Sequence, residues 1–506
     1  MKFETMTREE RKDRLKLFAA KVFVRTVVLF GAYGLLARLC ARRVVEIRHG
    51  KERRAKLGAA HDERACILVL DAERFRGDVD IFSRSDEIRV LSISWGLLRY
   101  LLAAYVREPT LQERRSHGGF FGVRGEFLQE SPGSELHAAR TCYRRFLGRF
   151  LPHLLNGFGV DVVMNSDHRY RREADFVRIA AQLGFPHMCY YREALYIVPA
   201  AYQLAVGRHK LFGAFHGSII AVQNSITRRM FRESGIAKAE QIVIRGCPRM
   251  DRFLNEIRRP SEERRTGKTI AYFSSPRGAQ LTDLSFCDFF STSIQVMRVL
   301  VEFAHVDPTV RVVFKFKDLH FKGRNMGQIG DLKSIILEVT GQSEPPGNIE
   351  IVTDRMAAHT VIQRSDVVCA MQSTVVLEAG IAGKPVVLPH FRSLREQEGA
   401  DQVLMFLEHH DLFDVPQDTE GLREVLLKRL ADPVVDPETL EKRRALFEEH
   451  VSPLDGTATE TSISLIRDLA DQGRTRRAAK TSPDHRCGTA VGHEAKNTAF
   501  TPSLDA

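Results

Sequence analysis

From Ala65 onward the chain alternates two apolar patterns. Short unbroken apolar runs are separated by longer stretches in which apolar positions recur every three or four residues. The first pattern marks strands buried on both faces and the second marks amphipathic helices. In the first half it predicts strands over Cys66–Leu70, Ile88–Ser92, Val160–Met164, Met188–Tyr191, Ile219–Val222 and Ile242–Ile244, with helices over Arg140–Leu155, Ala174–Leu183 and Ile226–Ser234. The polar stretch RRPSEERRTGK then interrupts the pattern as a linker should. The second half resumes with strand Thr269–Phe273, helix Leu284–His305, strand Val310–Phe316, helix Leu332–Val339, strand Ile349–Val352, helix Arg355–Arg364 and a late helix Leu422–Leu430. Alternation of this kind requires parallel sheets with crossover helices. The expected fold class is α/β, with two doubly wound Rossmann-like domains over 61–257 and 269–435 joined by linker 258–268. Helices over Pro437–Glu449 and Thr459–Leu469, within 436–470, are expected to cross back to the first domain. Beyond Asp471 periodicity is lost, and 471–506 reads as a disordered tail.

The segment SDVVCAMQSTVVLEAGIAGKPVVLPHF, Ser365 to Phe391, is one βαβ unit. An apolar strand runs into Gln372, Ser373 and Thr374, which have N-cap chemistry; a helix follows to Ala382, Gly383 ends it, and Pro385 to Leu388 begin the next strand. In such a unit the helix start opens at the carboxyl edge of the sheet, where its free N–H groups suit a phosphate. Ser373 and Thr374 add hydroxyl donors, and Glu378, one turn past Thr374, is placed to accept from a ribose diol. The same residues also fit an ordinary capped helix with a solvated carboxylate.

The formal net charge of +11 is concentrated at one end. Residues 1–60 hold 16 Lys and Arg against 6 Asp and Glu, which leaves 59 against 58 for the rest of the chain. A nucleic-acid binder of this length carries basic stripes on its folded domains, so a nucleic-acid partner is not expected. Within the basic arm, Thr26 to Ala37 is too short an apolar stretch to span a bilayer, and no small-residue cleavage site follows it. Leu15 to Leu39 is expected to form an interfacial amphipathic helix on an anionic membrane surface, or else to pack on the protein's own body. The eight cysteines show neither CxxC nor Cys/His ligand spacing, which argues against disulfides and zinc and for a reducing, cytoplasmic setting. The isolated Asp78-Val79-Asp80 triplet is too short to indicate a metal site, so no metal is expected.

Four stretches, in order, carry a family resemblance: VVMNSDHRYRRE with HMCYYREAL, GCPRMDRF, the βαβ segment above, and LDGTATE. Together they resemble GT-B glycosyltransferases, and more closely bacterial surface-carbohydrate (capsule and lipopolysaccharide) biosynthesis proteins and the related CDP-glycerol glycerophosphotransferases. The resemblance covers roughly Val160 to Leu469. It implies a metal-independent glycosyltransferase, peripheral on the inner face of the cell membrane, that moves a sugar from a nucleotide-sugar donor, a substrate and not a cofactor, to a glycan or lipid-linked acceptor. The alternatives it leaves open are a CDP-glycerol glycerophosphotransferase, a sugar-nucleotide 2-epimerase and a non-catalytic scaffold. It also implies donor phosphate on Ser373 and Thr374 and ribose on Glu378. Lys315, Lys317 and His320, at the end of one strand, fit leaving-group charge in the same cleft, or simply keep a strand end soluble. Ser274 and Ser275 follow the first strand of the second domain, and Arg249 is a phosphate contact or part of a structural turn. For the base that deprotonates the acceptor the resemblance favours Glu193, with Asp167 and His168 as the other candidates, each just past a strand end, where a carboxylate is also simply solvated. The chain departs from the pattern in lacking a GxGxxG loop. It also has Met371, Gln372 and Ser373 where glycerophosphotransferases carry a more Ser-rich helix start.

Overall fold

The computed structural model describes residues 8–58, 63–75, 77–107, 130–192, 195–258, 268–275, 278–280, 286–316, 324–352 and 357–481. Its two main sheets answer to the two halves of the sequence pattern. The first is built from β1 (Val44–Arg48), β2 (Lys51–Arg54), β3 (Ala65–Leu70), β4 (Ile88–Ile93), β5 (Val162–Asn165), β6 (His187–Tyr190), β7 (Ile219–Val222) and β8 (Ile242–Ile244). Their order is β2-β1-β4-β3-β5-β6-β7-β8; β3 to β8 are mutually parallel, and β1 runs antiparallel to β4 and β2. The second takes β9 (Lys268–Phe273), β12 (Val310–Lys315), β13 (Ile349–Val352), β14 (Val367–Ala370) and β15 (Val386–Val387) in the order β13-β12-β9-β14-β15, all parallel. Between them in sequence, β10 (Gly278–Gln280) and β11 (Phe286–Asp288) form a separate antiparallel hairpin.

Period-two alternation explains why both sheets are covered on two faces. In β3, Cys66, Leu68 and Leu70 enter one apolar cluster with the long helix Glu135–Phe158, while Ala65, Ile67 and Val69 enter another on the opposite face. In β9, Ile270 and Tyr272 face one way and Ala271 and Phe273 the other. The cluster around Ala271 and Phe273 also takes Cys247, Met250, Phe253 and Leu254 from the first unit, so the two units share a core. Helix Pro437–His450 lies against the second unit, where the buried Arg443 donates to the carbonyls of Leu412 (2.8 Å) and Lys384 (3.0 Å). Helix Ala458–Thr481 then returns to the first sheet and lays Ile463, Ile466, Leu469 and Ala470 on the Ile67 face.

Four expectations are corrected. The basic arm is not separate from the first domain along its whole length, because residues 44–54 form β1 and β2 and extend the sheet. Their sequence, rich in charge, hides a strand whose partner is distant. The single helix expected over Leu15–Leu39 is two, Arg8–Leu29 and Tyr33–Ala41, because the chain turns at Gly31 with φ +65°. The last helix does not stop near Asp471. Arg474 and Arg477 donate to Asp161 (2.7 and 3.1 Å) and the Arg477 guanidinium lies 4.5 Å over Phe185, so ion pairing, not apolar spacing, holds its final turns. The helix expected from Leu284 begins at Phe290, since Phe286–Asp288 pair with β10.

Candidate active site between the two sheets

Parallel α/β sheets bind ligands outside the carboxyl ends of their strands. In the second unit these ends are tied together by polar groups. β9 runs into the buried Ser274 and Ser275, and the Ser274 N–H donates to the Lys315 carbonyl at the end of β12 (3.0 Å). Gln328 donates to the Ser275 carbonyl (2.7 Å), and the Gln372 N–H at the end of β14 meets the Ser275 hydroxyl (3.5 Å). The Ser373 hydroxyl accepts from the Val375 N–H (3.4 Å), whereas Thr374 turns its hydroxyl to Glu378.

Glu378 differs from expectation. Every residue of helix Val375–Ile381 is buried, and the Glu378 carboxylate meets His359 Nε2 at 3.2 Å. The His359 ring stacks on Phe253 of the first unit, centroids 4.1 Å apart and 12° from parallel. Burial pushes the Glu378 carboxyl up, but the His359 bond and charge, the Thr374 hydroxyl and the Arg249 charge outweigh it and hold it below its ordinary value. A carboxylate has about four acceptor sites, so these partners leave capacity for a ribose hydroxyl.

Arg249 brings the first unit into the same place. It sits in helix Pro248–Ile257, just past β8, and its N–H and Nη1 approach the two oxygens of the fully buried Asp78, each at 3.4 Å. Gln223, past β7, reaches Asp78 at 3.5 Å, and the Tyr190 hydroxyl donates to the Gly246 carbonyl at 2.9 Å. Gly246 needs its glycine: φ is +71°, and a Cβ there would lie 2.7 Å from Ala458 Cβ on the returning helix. Arg249 is therefore an ion-pair partner of Asp78 whose charge also reaches Glu378 across the seam.

The base candidates are placed unequally. Glu193, like Lys317 and His320, lies outside the described residues. Asp167 is held by Arg169 through its N–H (2.9 Å), Nε (2.9 Å) and Nη2 (2.8 Å). His168 is not presented to the cleft but packed among His209, Phe215 and Phe231 of the first unit, because an aromatic cluster buries its ring more completely than a strand end does. Sequence reasoning missed Asp71, the first polar residue after β3. It is buried with φ +64°, it accepts from Arg74 Nε at 2.7 Å, and burial raises its carboxyl against the pull of Arg74. Its signal was the abrupt end of the apolar run ACILVL. His359 and Asp78 were also missed; their roles depend on contacts across the seam.

A cavity of ≈ 610 Å³ lies elsewhere, lined by Arg178, His216, Gln241, Asp468 and Arg476. It abuts Ile219 at the start of β7, the amino edge, where parallel sheets do not assemble active sites. Among the described residues no cluster of three or more His, Cys, Asp or Glu is placed to hold a metal, and no helix is long and apolar enough to cross a membrane.

Two doubly wound α/β units with a shared core, and a C-terminal helix that crosses back to the first sheet, define a GT-B-like fold. No family model matches the chain, and no curated protein matches it in sequence. Among solved structures it is similar to the UDP-GlcNAc 2-epimerase of Neisseria meningitidis bound to UDP-GlcNAc, at 11% identity and TM-score 0.41, over 80% of this chain and 100% of that one. It is also similar to a glycosyltransferase of Rickettsia africae (12%, TM-score 0.41, 81% and 99%). A third is a UDP-forming trehalose-phosphate synthase of Burkholderia xenovorans (12%, TM-score 0.40, 81% and 99%). At these TM-scores the likenesses carry no functional weight.

Proposed function

We propose that the protein is a glycosyltransferase that moves a sugar from a nucleotide-sugar donor to a cell-surface polysaccharide or lipid-linked acceptor. The observation that carries this reading is the meeting of polar and charged groups from both carboxyl edges at one seam, with Glu378, His359, Arg249 and Asp78 within it. Ser274, Ser275, Ser373, Thr374 and Lys315, with Lys317 and His320, hold the diphosphate, and Glu378 accepts from the ribose. In the transfer, the acceptor oxygen forms a bond to the anomeric carbon, the bond from that carbon to the phosphate oxygen breaks, and its electron pair stays on the nucleotide. The acceptor proton passes to a carboxylate, Glu193 or Asp167 from the sequence or Asp71 from the structure. Cations and N–H groups at the second sheet offset the charge that develops on the leaving group.

A thermal-shift panel of UDP, GDP, CDP, CMP, their sugar conjugates and CDP-glycerol tests this. One nucleotide at a hundred times its Kd is expected to stabilise the protein by about 2.7 kcal/mol, and Ser373→Ala with Thr374→Ala to remove that shift. A shift with CDP-glycerol alone selects glycerol phosphate transfer; consumption of the nucleotide sugar without acceptor selects epimerisation; binding without turnover selects a scaffold. No shift with any of them overturns the donor site.

The same reading sets the enzyme against the inner face of a membrane. Val24, Val27, Leu36, Ala37 and Cys40 of the two N-terminal helices enter the core of the first unit, while Leu15, Phe18, Val22, Leu29, Phe30 and Leu35 stay exposed, Leu29 at 81% and Phe30 at 77%. Lys12, Arg14, Lys16, Lys21, Arg38, Arg42 and Arg43 are exposed beside them. An exposed apolar stripe with basic flanks suits an anionic lipid surface. Intact protein is expected to float with vesicles containing anionic lipid and much less with neutral ones. The combined Phe18→Glu, Leu29→Glu and Phe30→Glu variant is expected to stay in the soluble fraction. Equal flotation of variant and wild type overturns the membrane role.

A further inference from the structure

The ≈ 610 Å³ cavity at the amino edge of the first sheet is walled by parts of the chain that are far apart in sequence. Arg178 comes from helix Arg171–Gln182, His216 and Ser218 from the turn before β7, and Asp468, Gln472 and Arg476 from the returning helix Ala458–Thr481. Phe185, Pro186, Leu465 and Leu469 give it an apolar lining. One wall is held at a close approach: Gly473 is buried late in the returning helix, and a Cβ there would lie 2.6 Å from Pro186 Cδ. Pockets of roughly 300–1,000 Å³ that combine apolar walls with a few polar groups are of the size that takes a small organic molecule.

The charge of the lining selects the ligand. Among the described residues neither Arg178, which is partly buried, nor Arg476 has an ion-pair or hydrogen-bond partner. Asp468 is the one carboxylate among the described lining residues, and it pairs with neither of them. His216 senses the potential at the same wall. Burial is the largest cause that holds its imidazole below the ordinary value, and the Arg178, Arg144 and Arg140 charges follow, each acting more strongly than the opposing charge of Asp175. Arg140 and Arg144 line an adjoining cavity of ≈ 90 Å³ that shares Arg178, His216 and Gly217 with the larger one. Both are paired with Asp175 and Glu130, so the positive potential at His216 persists despite that pairing. A cleft with an excess of one sign concentrates ions of the other. Two guanidinium forks beside an imidazole exceed what a single carboxylate neutralises and suit a phosphate monoester, which carries about −1.5 to −2 charges at pH 7.

We propose that this cavity is a second ligand site, separate from the donor cleft, that binds a small phosphate-bearing molecule. Arg178 and Arg476 hold the phosphate oxygens from two helices and His216 adds a further contact, while Asp468 and Gln472 meet the rest of the ligand beside Leu465 and Leu469. A ligand bonded to both arginines joins helix Arg171–Gln182 to the end of helix Ala458–Thr481. It fastens the turns that otherwise rest on Arg474 and Arg477 at Asp161 and on Arg477 over Phe185. The site does not depend on the transferase reading, because the donor residues belong to the other sheet and to its carboxyl edge.

The test follows thermal unfolding of the full-length protein during titration with ribose 5-phosphate, inorganic phosphate, ribose and, at matched ionic strength, sodium chloride. Saturable stabilisation is expected with the two phosphates and not with ribose or chloride. Its apparent affinity is expected to be at least tenfold weaker in Arg178→Gln and in Arg476→Gln, and unaltered in the Ser373→Ala, Thr374→Ala double variant. Tighter binding of ribose 5-phosphate than of inorganic phosphate assigns an organic phosphate; equal binding assigns the free anion. Neither arginine has a bond to lose among the described residues, so both variants are expected to melt like the wild type without ligand. Arg178→Lys, which keeps the charge but loses the fork, is expected to be intermediate. Limited trypsin digestion locates the effect: cleavage after Arg474 and Arg477 is expected to slow with ribose 5-phosphate in the wild type and not in Arg178→Gln. No saturable stabilisation, an equal effect of ribose, or an unchanged affinity in well-folded Arg178→Gln overturns the proposal, as does tryptic cleavage that ignores the ligand. Loss of the effect in the Ser373→Ala, Thr374→Ala variant but not in Arg178→Gln would assign the phosphate to the donor site and overturn it as well. Failure of the nucleotide panel together with success here would leave this site standing without the donor reading.

Discussion

Acidification from pH 7 to about pH 5 is expected to remove on the order of 5 kcal/mol of folding free energy, enough to unfold a domain of ordinary stability. Three buried histidines cause it. Burial, with the nearby His168 charge, pushes His187 down to about 3. Burial, with the His410 and Arg395 charges, pushes His390 down to about 3, and burial with the His409 and Arg229 charges pushes His450 down to about 4. At His187 the tautomer follows from its neighbour. Asn165 Nδ2 donates to the Asp167 carbonyl and to Glu173, so Asn165 Oδ1 accepts from His187 Nε2–H at 3.0 Å. The folded values lie below the ordinary one. Between about pH 6.5 and the folded values the unfolded chain therefore binds protons that the folded chain does not, so stability is lost as the pH drops through that window. Chemical unfolding at several pH values measures it. His187→Gln, which keeps a donor to Asn165 but does not titrate, is expected to flatten the loss by about 2 kcal/mol. A constant unfolding free energy between pH 7 and 5 would show that the three rings protonate freely in the folded state.

Glu378→Ala is expected to cost about 3 kcal/mol of stability and to abolish nucleotide-induced stabilisation. Removing one member of a largely buried pair leaves the other without its charge partner, and here the partner, His359, stays stacked on Phe253. The carboxyl titrates below its ordinary value, so the stability it contributes is present in full above about pH 4.5 and lost as the pH falls through the lowered folded value. The difference between wild type and variant should therefore narrow in acid, even as the histidines weaken both. Glu378→Gln separates the two roles: it restores the packing and one acceptor oxygen, and is expected to recover stability more than nucleotide affinity. An alanine variant that keeps both its stability and its nucleotide shift would exclude Glu378 from the site.

The seam between the sheets makes the Glu378 prediction specific. Phe253 belongs to the first unit, yet it positions the histidine that holds a carboxylate of the second. Arg249 belongs to the first unit and pairs with Asp78 there, while its charge lowers Glu378 across the boundary. A substitution at either residue should therefore disturb donor binding in a unit to which it does not belong.

Strands of unbroken apolar residues, such as ACILVL and the run before Gln372, identify themselves, because only a doubly covered sheet buries both sides of a strand. Most helix and strand types, the parallel sheets and the α/β class were legible on that basis, and a general rule directs the search for chemistry to the places where such runs end. That rule singled out Ser274, Ser373, Thr374 and Lys315, which the structure has at or just past strand ends, and Asp71 holds the same kind of position. β2 did not show itself, because KERR has no apolar face and is a strand only by pairing with β1. The last turns of helix Ala458–Thr481 were equally silent, since Asp161, more than 300 residues earlier, is what Arg474 and Arg477 bind.

The sequence by itself determined most of the strands and helices and their burial, because those follow from periodicities of two and 3.6 that each segment carries alone. Only the tertiary structure decided that Glu378 pairs with His359, that Arg249 pairs with Asp78, and that His168 leaves the cleft for an aromatic cluster. Each of these is an electrostatic or stacking contact between side chains far apart in the chain. Such contacts form at the distances that packing imposes, and no local pattern of residues specifies them.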